Sequence, residues 1–205
     1  MSLLTKHKVF ISYHHANDQQ YKDSLLQMNA LYDIFIDKSV DTGDVEDNLS
    51  DQEIRVKIRD EYLRDSTVTI LLAGTQTMFR KHVDWEIFSS MYDGEVNKKS
   101  GILVVNLPLT GSDNITAGHG NQEKQLIHPN IDNWISLNRS QYEQRYPYLP
   151  NRIIDNLVNK NSKISVVPWG LIDNRPEILK LLIEFTNQDR QIAEYDLSRP
   201  MKRQN

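Results

Sequence analysis

The chain has 205 residues, with 24 Lys and Arg against 28 Asp and Glu, and a formal net charge of −4. This balance argues against broad binding of nucleic acid, which requires a basic surface, and no apolar run reaches the ~18 residues of a membrane-spanning helix. The sequence has no cysteine, which excludes disulfides, thiolate metal sites and cysteine nucleophiles. Without a secretory signal, these features predict a cytoplasmic globular protein whose chemistry depends on carboxylates, hydroxyls or histidines.

Strand and helix patterns alternate along the chain. Apolar, β-branched runs predict strands at 8–13, 33–37, 67–73, 101–107 and 164–169. Helical spacing predicts helices from Asn17 to Tyr32, from Ser50 to Tyr62, over 76–92 and from Asn174 onward. The acidic stretch 38–49 is predicted to be a loop. The alternation predicts an α/β fold: an open, mostly parallel five-stranded sheet with helices on both faces.

The segment after the fourth strand breaks this regularity. Residues 108–150 are rich in Gly, Asn, Pro and Tyr, and a structureless loop of this length is unusual in a compact domain. We therefore predict one domain over 6–190 with an insertion at 108–150, a short helix at 151–158, and a C-terminal tail at 191–205. The polar end of that tail, 198–205, is predicted to fray.

The carboxyl ends of the strands are the expected ligand-binding edge of such a sheet. Ser12, Tyr13 and His14 stand at the end of the first strand, where hydroxyl, phenol and imidazole groups can line a pocket for a polar, ring-bearing ligand. Ser12 with His14 or His15 also suggests a hydrolase dyad, but no G-x-S-x-G motif surrounds the serine. A turn with two exposed histidines is the plainer interpretation.

Glu86 lies at the edge of the apolar face of the third helix. At 100° per residue it falls about 20° outside the roughly 80° arc formed by Phe79, Val83, Ile87 and Ser90. A half-buried carboxylate there can present a fixed negative charge to a ligand. The alternative is a boundary glutamate that reaches solvent.

The acids near the second strand and the histidines of the insertion are weaker candidates. The carboxylates at positions 37, 41, 44, 46 and 47 lack EF-hand spacing, which favours a solvated acidic loop over a cation site. Asp37 follows a strand as a phospho-acceptor aspartate would, but His14 and His15 stand where a receiver domain has its acidic pair. His119 and His128 have no ligand-like neighbours, so we predict no metal site.

Several segments resemble known sequences. The run 8–13 (KVFISY) is similar to the opening box of Toll/interleukin-receptor (TIR) domains. The segment 66–77 (STVTILLAGTQT) followed by 83–87 (VDWEI), and later 166–169 (VVPW), resemble the bacterial TIR-like family that includes the NAD-consuming proteins of the Thoeris anti-phage system. The resemblance covers most of 8–190 and is weakest over 108–146. It implies a flavodoxin-like α/β fold.

The resemblance also implies a reaction and a site. In catalytic members a glutamate on the third helix is required to break the bond between nicotinamide and ribose in NAD⁺, and Glu86 matches that position. NAD⁺ would then be the substrate, with no further cofactor, and the product ADP-ribose or a cyclic ADP-ribose isomer. The implied substrate-binding residues are Phe10, Ser12, Tyr13, His14, Asp37 and His82. Relatives often carry a tryptophan where this chain has His82, which leaves nicotinamide stacking there open.

Two functions of different classes follow from these observations. One is a cytoplasmic NAD⁺ glycohydrolase or cyclase that makes a signal in bacterial anti-phage defence. The other is a non-catalytic TIR-type module that self-associates or binds a partner TIR or effector protein, since one fold serves both. A nucleotide-binding sensor without turnover is a third option. We expect neither nucleic acid nor membrane as a partner.

Overall fold

A computed structural model describes residues 6–39 and 49–205 of the chain. Its centre is a five-stranded sheet in the order β2-β1-β3-β4-β5, in which all four neighbouring pairs are parallel. The strands are β1 (Lys8–Ser12), β2 (Ile36–Asp37), β3 (Val68–Ala73), β4 (Gly101–Asn106) and β5 (Ser165–Pro168). The predicted parallel α/β fold is confirmed.

Helices cover both faces of this sheet. They are α1 (His15–Tyr32), α2 (Asp51–Val56), α3 (Lys81–Met91), α4 (Gly120–Ile127), α5 (Arg139–Arg145), α6 (Asn151–Val158), α7 (Trp169–Ile172) and α8 (Pro176–Asp189). Ser50 and Glu53 form the predicted capping box, in which the Ser50 hydroxyl accepts the Glu53 N–H and the Glu53 side chain accepts the Ser50 N–H. A π-helical segment, Lys57–Tyr62, continues directly from α2.

The pleat of β1 divides its side chains between two cores. Val9 and Ile11 pack with α1 and α8 on one face of the sheet. Phe10 points to the other face, where it joins a cluster with Trp85 of α3. Since successive strand residues alternate between faces, Ser12 lies on the α3 side together with Phe10. This alternation determines which end-of-strand groups can meet Glu86.

The helix predicted over 76–92 is interrupted. A single 3₁₀ turn, Thr77–Phe79, comes first, Arg80 is extended (φ −87°, ψ 119°), and α3 begins at Lys81. The Thr77 hydroxyl accepts the N–H of Gly74 at 2.8 Å and holds this turn against the end of β3. Likewise, α1 begins at His15 rather than at the predicted cap Asn17.

The predicted insertion contains α4 and α5 and returns to the sheet through α6. Thr116 forms an antiparallel bridge with Val166, so this segment extends the β5 edge. His119, buried within it, hydrogen-bonds through Nδ1 to Asp189 of α8 (3.0 Å), which lowers the pKa of that carboxyl. The insertion is therefore packed onto the sheet rather than looped away from it.

The prediction that 198–205 frays is wrong. The Met201 side chain is buried beside Trp85, and the Trp85 indole N–H donates to the carbonyl of Lys202 at 2.7 Å. The Asn205 side chain accepts the N–H of Lys81 at 2.9 Å. Polar composition suggested fraying, but one apolar side chain and several backbone groups hold the segment against α3.

The predicted acidic loop 38–49 lies mostly outside the described residues, since 40–48 are not described. The carboxylates at positions 41, 44, 46 and 47 lie among the residues that are not described. The expectation that they form a solvated loop rather than a cation site therefore stays a prediction.

Candidate functional site

The centre of the site is a hydrogen bond between Ser12 and Glu86. The Ser12 hydroxyl, at the end of β1, donates to Glu86 Oε2 at 2.6 Å, a short charge-assisted bond. Ser12 is completely buried and Glu86 is 3% exposed. The helical arc predicted a half-buried glutamate, whereas the structure buries it almost completely. The reason is that α3 packs against the sheet on one side and against α6 and the tail on another.

This pair lies where the strand order reverses. Strand β2 lies on one side of β1, and the next strand in sequence, β3, lies on the other side. The direction in which strands are added therefore reverses between β1 and β3, and the carboxyl ends of these two strands border that point. Open α/β sheets bind ligands in the crevice outside these strand ends. The location therefore matches the sequence prediction.

Two further groups at this edge have nitrogen atoms without hydrogen-bond partners. His14 Nδ1 and Arg80 Nε are buried atoms, and neither has a hydrogen-bond partner among the described residues. Burial, together with the charges of Arg80 and His15, lowers the pKa of His14 below its usual value. His14 is therefore held neutral at pH 7 next to a guanidinium group. A buried polar atom left unpaired is costly, so these atoms suit an anionic ligand that would pair with them.

Asp18 is a buried carboxylate at the same edge that the sequence analysis missed. It is 4% exposed, and burial raises its pKa despite a long hydrogen bond (3.4 Å) from Thr77. A Cβ at Gly74 would come within 2.5 Å of its carboxylate, so glycine allows Asp18 to approach the end of β3. The sequence signal that could have identified Asp18 is its place in the first turn of the helix after β1, because the N-terminal end of a helix favours negative charge.

The structure does not bring every predicted residue to Glu86. Phe10 is buried in the cluster around Trp85. Tyr13 packs on the opposite face of the sheet, and its hydroxyl donates to Gln19 at 2.6 Å. Asp37 is exposed on the edge strand and accepts the N–H of Ser39.

His82 lies one helical turn before Glu86, on the same side of α3. Its ring meets that of Trp85 edge-on, with centroids 4.9 Å apart. It is partly exposed, unlike the glutamate. A ring at this position can cover a flat ligand bound above Glu86.

Neither metal ligands nor membrane segments emerge from the described part of the chain. Within 6–39 and 49–205, no three His, Asp or Glu side chains are grouped to hold a metal ion. None of the helices in those ranges has the length and hydropathy to cross a bilayer.

The site combines a carboxylate with nitrogen groups that can bind an anion. Glu86 offers a buried carboxylate, fixed by Ser12, that can stabilise developing positive charge in a site with little water. Arg80 offers an N–H donor on the same edge to an anion, and so does His14 in the tautomer that carries its proton on Nδ1. A ligand with a cationic centre and phosphate groups would satisfy both.

Comparison with protein families identifies the same region. The family model described as Thoeris protein ThsB, TIR-like domain, matches residues 10–112, about half of the chain. The match runs from β1 through β4 and includes Ser12, His14, Asp18 and Glu86. No curated protein matches the chain. The predicted resemblance is confirmed, and the chain belongs to the family of Thoeris ThsB TIR-like domains.

Proposed function

We propose that the protein is an NAD⁺ nucleosidase or ADP-ribosyl cyclase that cleaves the bond between nicotinamide and ribose. Membership of the Thoeris ThsB family supports a role in anti-phage defence. The single observation that carries the finer proposal is the buried Glu86 carboxylate, hydrogen-bonded by Ser12 at the strand-order reversal.

The chemistry suits such a site. When the C1′–N bond breaks, its electron pair goes to the pyridinium nitrogen and nicotinamide leaves as a neutral molecule, so no general acid is needed. The ribose becomes oxocarbenium-like, and a carboxylate in a buried site stabilises it. Water adding to C1′ and losing a proton yields ADP-ribose. If water is excluded, a hydroxyl or ring nitrogen of the same molecule can add instead and yield a cyclic isomer.

We assign the remaining roles from the geometry of the edge. Ser12 orients the Glu86 carboxylate, and the unpartnered nitrogens of Arg80 and His14 suit the pyrophosphate. His82 covers the nicotinamide ring. No cofactor beyond the substrate enters this scheme.

The test is nicotinamide release by the purified, concentrated chain, followed by chromatography. We expect release by the native protein and none by Glu86→Gln, which keeps the shape but removes the charge. Glu184→Gln on α8, which changes a carboxylate on the opposite face of the sheet, is the matched control and should remain active. Equal release by native protein and Glu86→Gln would refute the role of Glu86.

One observation favours a second candidate function. Glu86 is only 3% exposed and already paired with Ser12, as a structural buried carboxylate would be. The alternative is a non-catalytic module that self-associates or binds a partner TIR or effector protein. No release in phage-challenged cells, together with concentration-dependent association in sedimentation velocity, would favour the module over the enzyme.

A further inference from the structure

A cavity lies in and beside the insertion, and Glu86 is not among its lining residues. It has a volume of about 480 Å³ and is lined by the segments 113–118, 131–137 and 157–164, with contributions from α4 and α5. This volume falls in the range of roughly 300–1,000 Å³ that is typical of small-molecule sites. The cavity begins where the family match ends, at residue 112, so the Thoeris ThsB family match does not account for it.

The lining of this cavity is strongly cationic. Lys124, Arg145, Lys160 and Lys163 line it, and Asp113 is the one carboxylate among the described lining residues. The whole chain, by contrast, carries a net charge of −4. In the ranges 6–39 and 49–205, no carboxylate forms an ion pair with any of these four cations. Like charges gathered around one concave surface repel each other, and a bound anion would remove that repulsion.

Part of the lining is apolar and includes an aromatic ring next to one of the cations. Trp134 lines the cavity, and the Lys124 ammonium lies 4.9 Å from the centroid of its ring. Ile135, beside it, is 64% exposed, so part of this lining is open to solvent. Aromatic faces next to cations bind flat rings that carry negative groups.

We propose that this cavity binds a small phosphorylated molecule with a flat ring, the chemistry of a nucleotide. Arg145 and Lys163, both partly buried, hold the phosphates, and Trp134 stacks on the ring. The proposal does not depend on the reaction assigned to Glu86, since it involves different residues on a different part of the chain.

The test is a titration of the full chain with ADP, and in parallel with pyrophosphate, followed by tryptophan emission. The native protein should give a saturable change, and Trp134→Phe should remove the part of that change that comes from the Trp134 indole. The double variant Arg145→Gln/Lys163→Gln should weaken ADP binding at least about tenfold, since charge-assisted hydrogen bonds are lost. Lys22→Gln/Lys180→Gln, on the opposite face of the sheet, is the matched control and should bind like the native protein. Circular dichroism verifies that each variant is folded.

Each outcome decides the proposal. Tighter binding of ADP than of pyrophosphate supports it, because only ADP has a ring for Trp134. Equal binding of the two refutes the ring contact. An emission change that is as large in Trp134→Phe as in the native protein, or that the charge variant leaves unaltered, places the ligand elsewhere and overturns the site. The ADP titration does not depend on whether Glu86→Gln loses nicotinamide release. Each of the two proposals can therefore be refuted without the other.

Discussion

Ser12 and Glu86 show how one short side chain can determine the chemistry of another. A buried carboxylate is costly unless donors compensate for its lost hydration. Ser12 provides such a donor at 2.6 Å from a completely buried position. The hydroxyl therefore fixes the position of the Glu86 carboxylate, which the proposed reaction needs.

Replacing Ser12 by alanine tests this positioning role. We expect nicotinamide release to fall about 10- to 100-fold, since a hydrogen bond to a charged group contributes about 1.5–3 kcal/mol. Because Ser12 is assigned to orient Glu86 rather than to bind NAD⁺, kcat should fall while KM changes little. Ser90→Ala is the control, since it removes another buried hydroxyl of α3, bonded to Thr69 at 2.8 Å. An unchanged kcat in Ser12→Ala would contradict the assignment.

Asp18 predicts a pH-dependent effect on stability. Burial raises its pKa in the fold above the unfolded value, so its contribution to stability is present at low pH and is lost as the pH rises through the folded pKa. Asp18→Asn removes the ionisation. The free energy of unfolding of Asp18→Asn relative to native protein should therefore be more favourable at pH 7 than at pH 4. Urea unfolding at both pH values measures this, with Asp23→Asn on the same helix as the control; a pH-independent difference would be evidence against it.

At the scale of elements, α3 is held in place by an ion pair on the side away from Ser12. The Arg152 guanidinium of α6 binds the Asp84 carboxylate through two bonds of 2.9 and 3.0 Å. Arg152 also donates to the carbonyls of Arg199 and Pro200, so one buried side chain joins α3, the insertion and the tail. The helix that carries Glu86 is therefore positioned by residues distant in sequence.

Arg152→Met should lower the free energy of unfolding by about 3–5 kcal/mol, because it leaves Asp84 buried without its cation. Lys6→Met, which breaks the exposed pair with Asp33, should cost about 0–1 kcal/mol. Adding Asp84→Asn to Arg152→Met should recover part of the loss. Urea unfolding of these variants, of Asp84→Asn alone and of the native protein measures these values. Additive costs in the double variant would show that the two side chains are not coupled.

At the scale of the whole molecule, the insertion and the tail turn a parallel sheet into a more enclosed structure. The insertion extends the β5 edge through Thr116 and brings α6 against α3. The segment 198–205 then crosses α3 and covers Trp85. Both α6 and the tail lie outside the matched region 10–112, yet both contact the helix that carries Glu86.

Removing 198–205 should lower the free energy of unfolding by about 3 kcal/mol or more and shift tryptophan emission to longer wavelength. The buried Met201 contact is lost, and such losses cost about 2–5 kcal/mol. The Trp85 indole would also lose its acceptor. Met201→Leu, which conserves volume, should cost less than about 1.5 kcal/mol. Unchanged emission after truncation would mean that the tail does not cover Trp85 in solution.

Local sequence patterns predicted much of the fold and part of the site. Apolar runs bounded by turn residues marked β1, β3, β4 and β5, because a strand buried on both faces must be apolar throughout. The exposed edge strand β2 is only two residues long, shorter than the predicted run 33–37. The Ser50–Glu53 capping box depends on residues three apart and formed as predicted. The alternation of strands and helices predicted that Ser12 lies at a carboxyl end of the sheet. The helical period placed Glu86 at the edge of the apolar face of α3.

Only the tertiary structure decided which groups meet at that edge. Ser12 and Tyr13 are neighbours in sequence, yet the pleat of β1 sends them to opposite faces: Ser12 donates to Glu86, and Tyr13 packs in the other core. The full burial of Glu86 and the order of 198–205 depend on contacts across more than a hundred residues of sequence, such as that of Trp85 with Lys202. Such contacts cannot be predicted from local composition. The sequence alone therefore determined the elements and the identity of the candidate carboxylate, whereas long-range packing determined its environment.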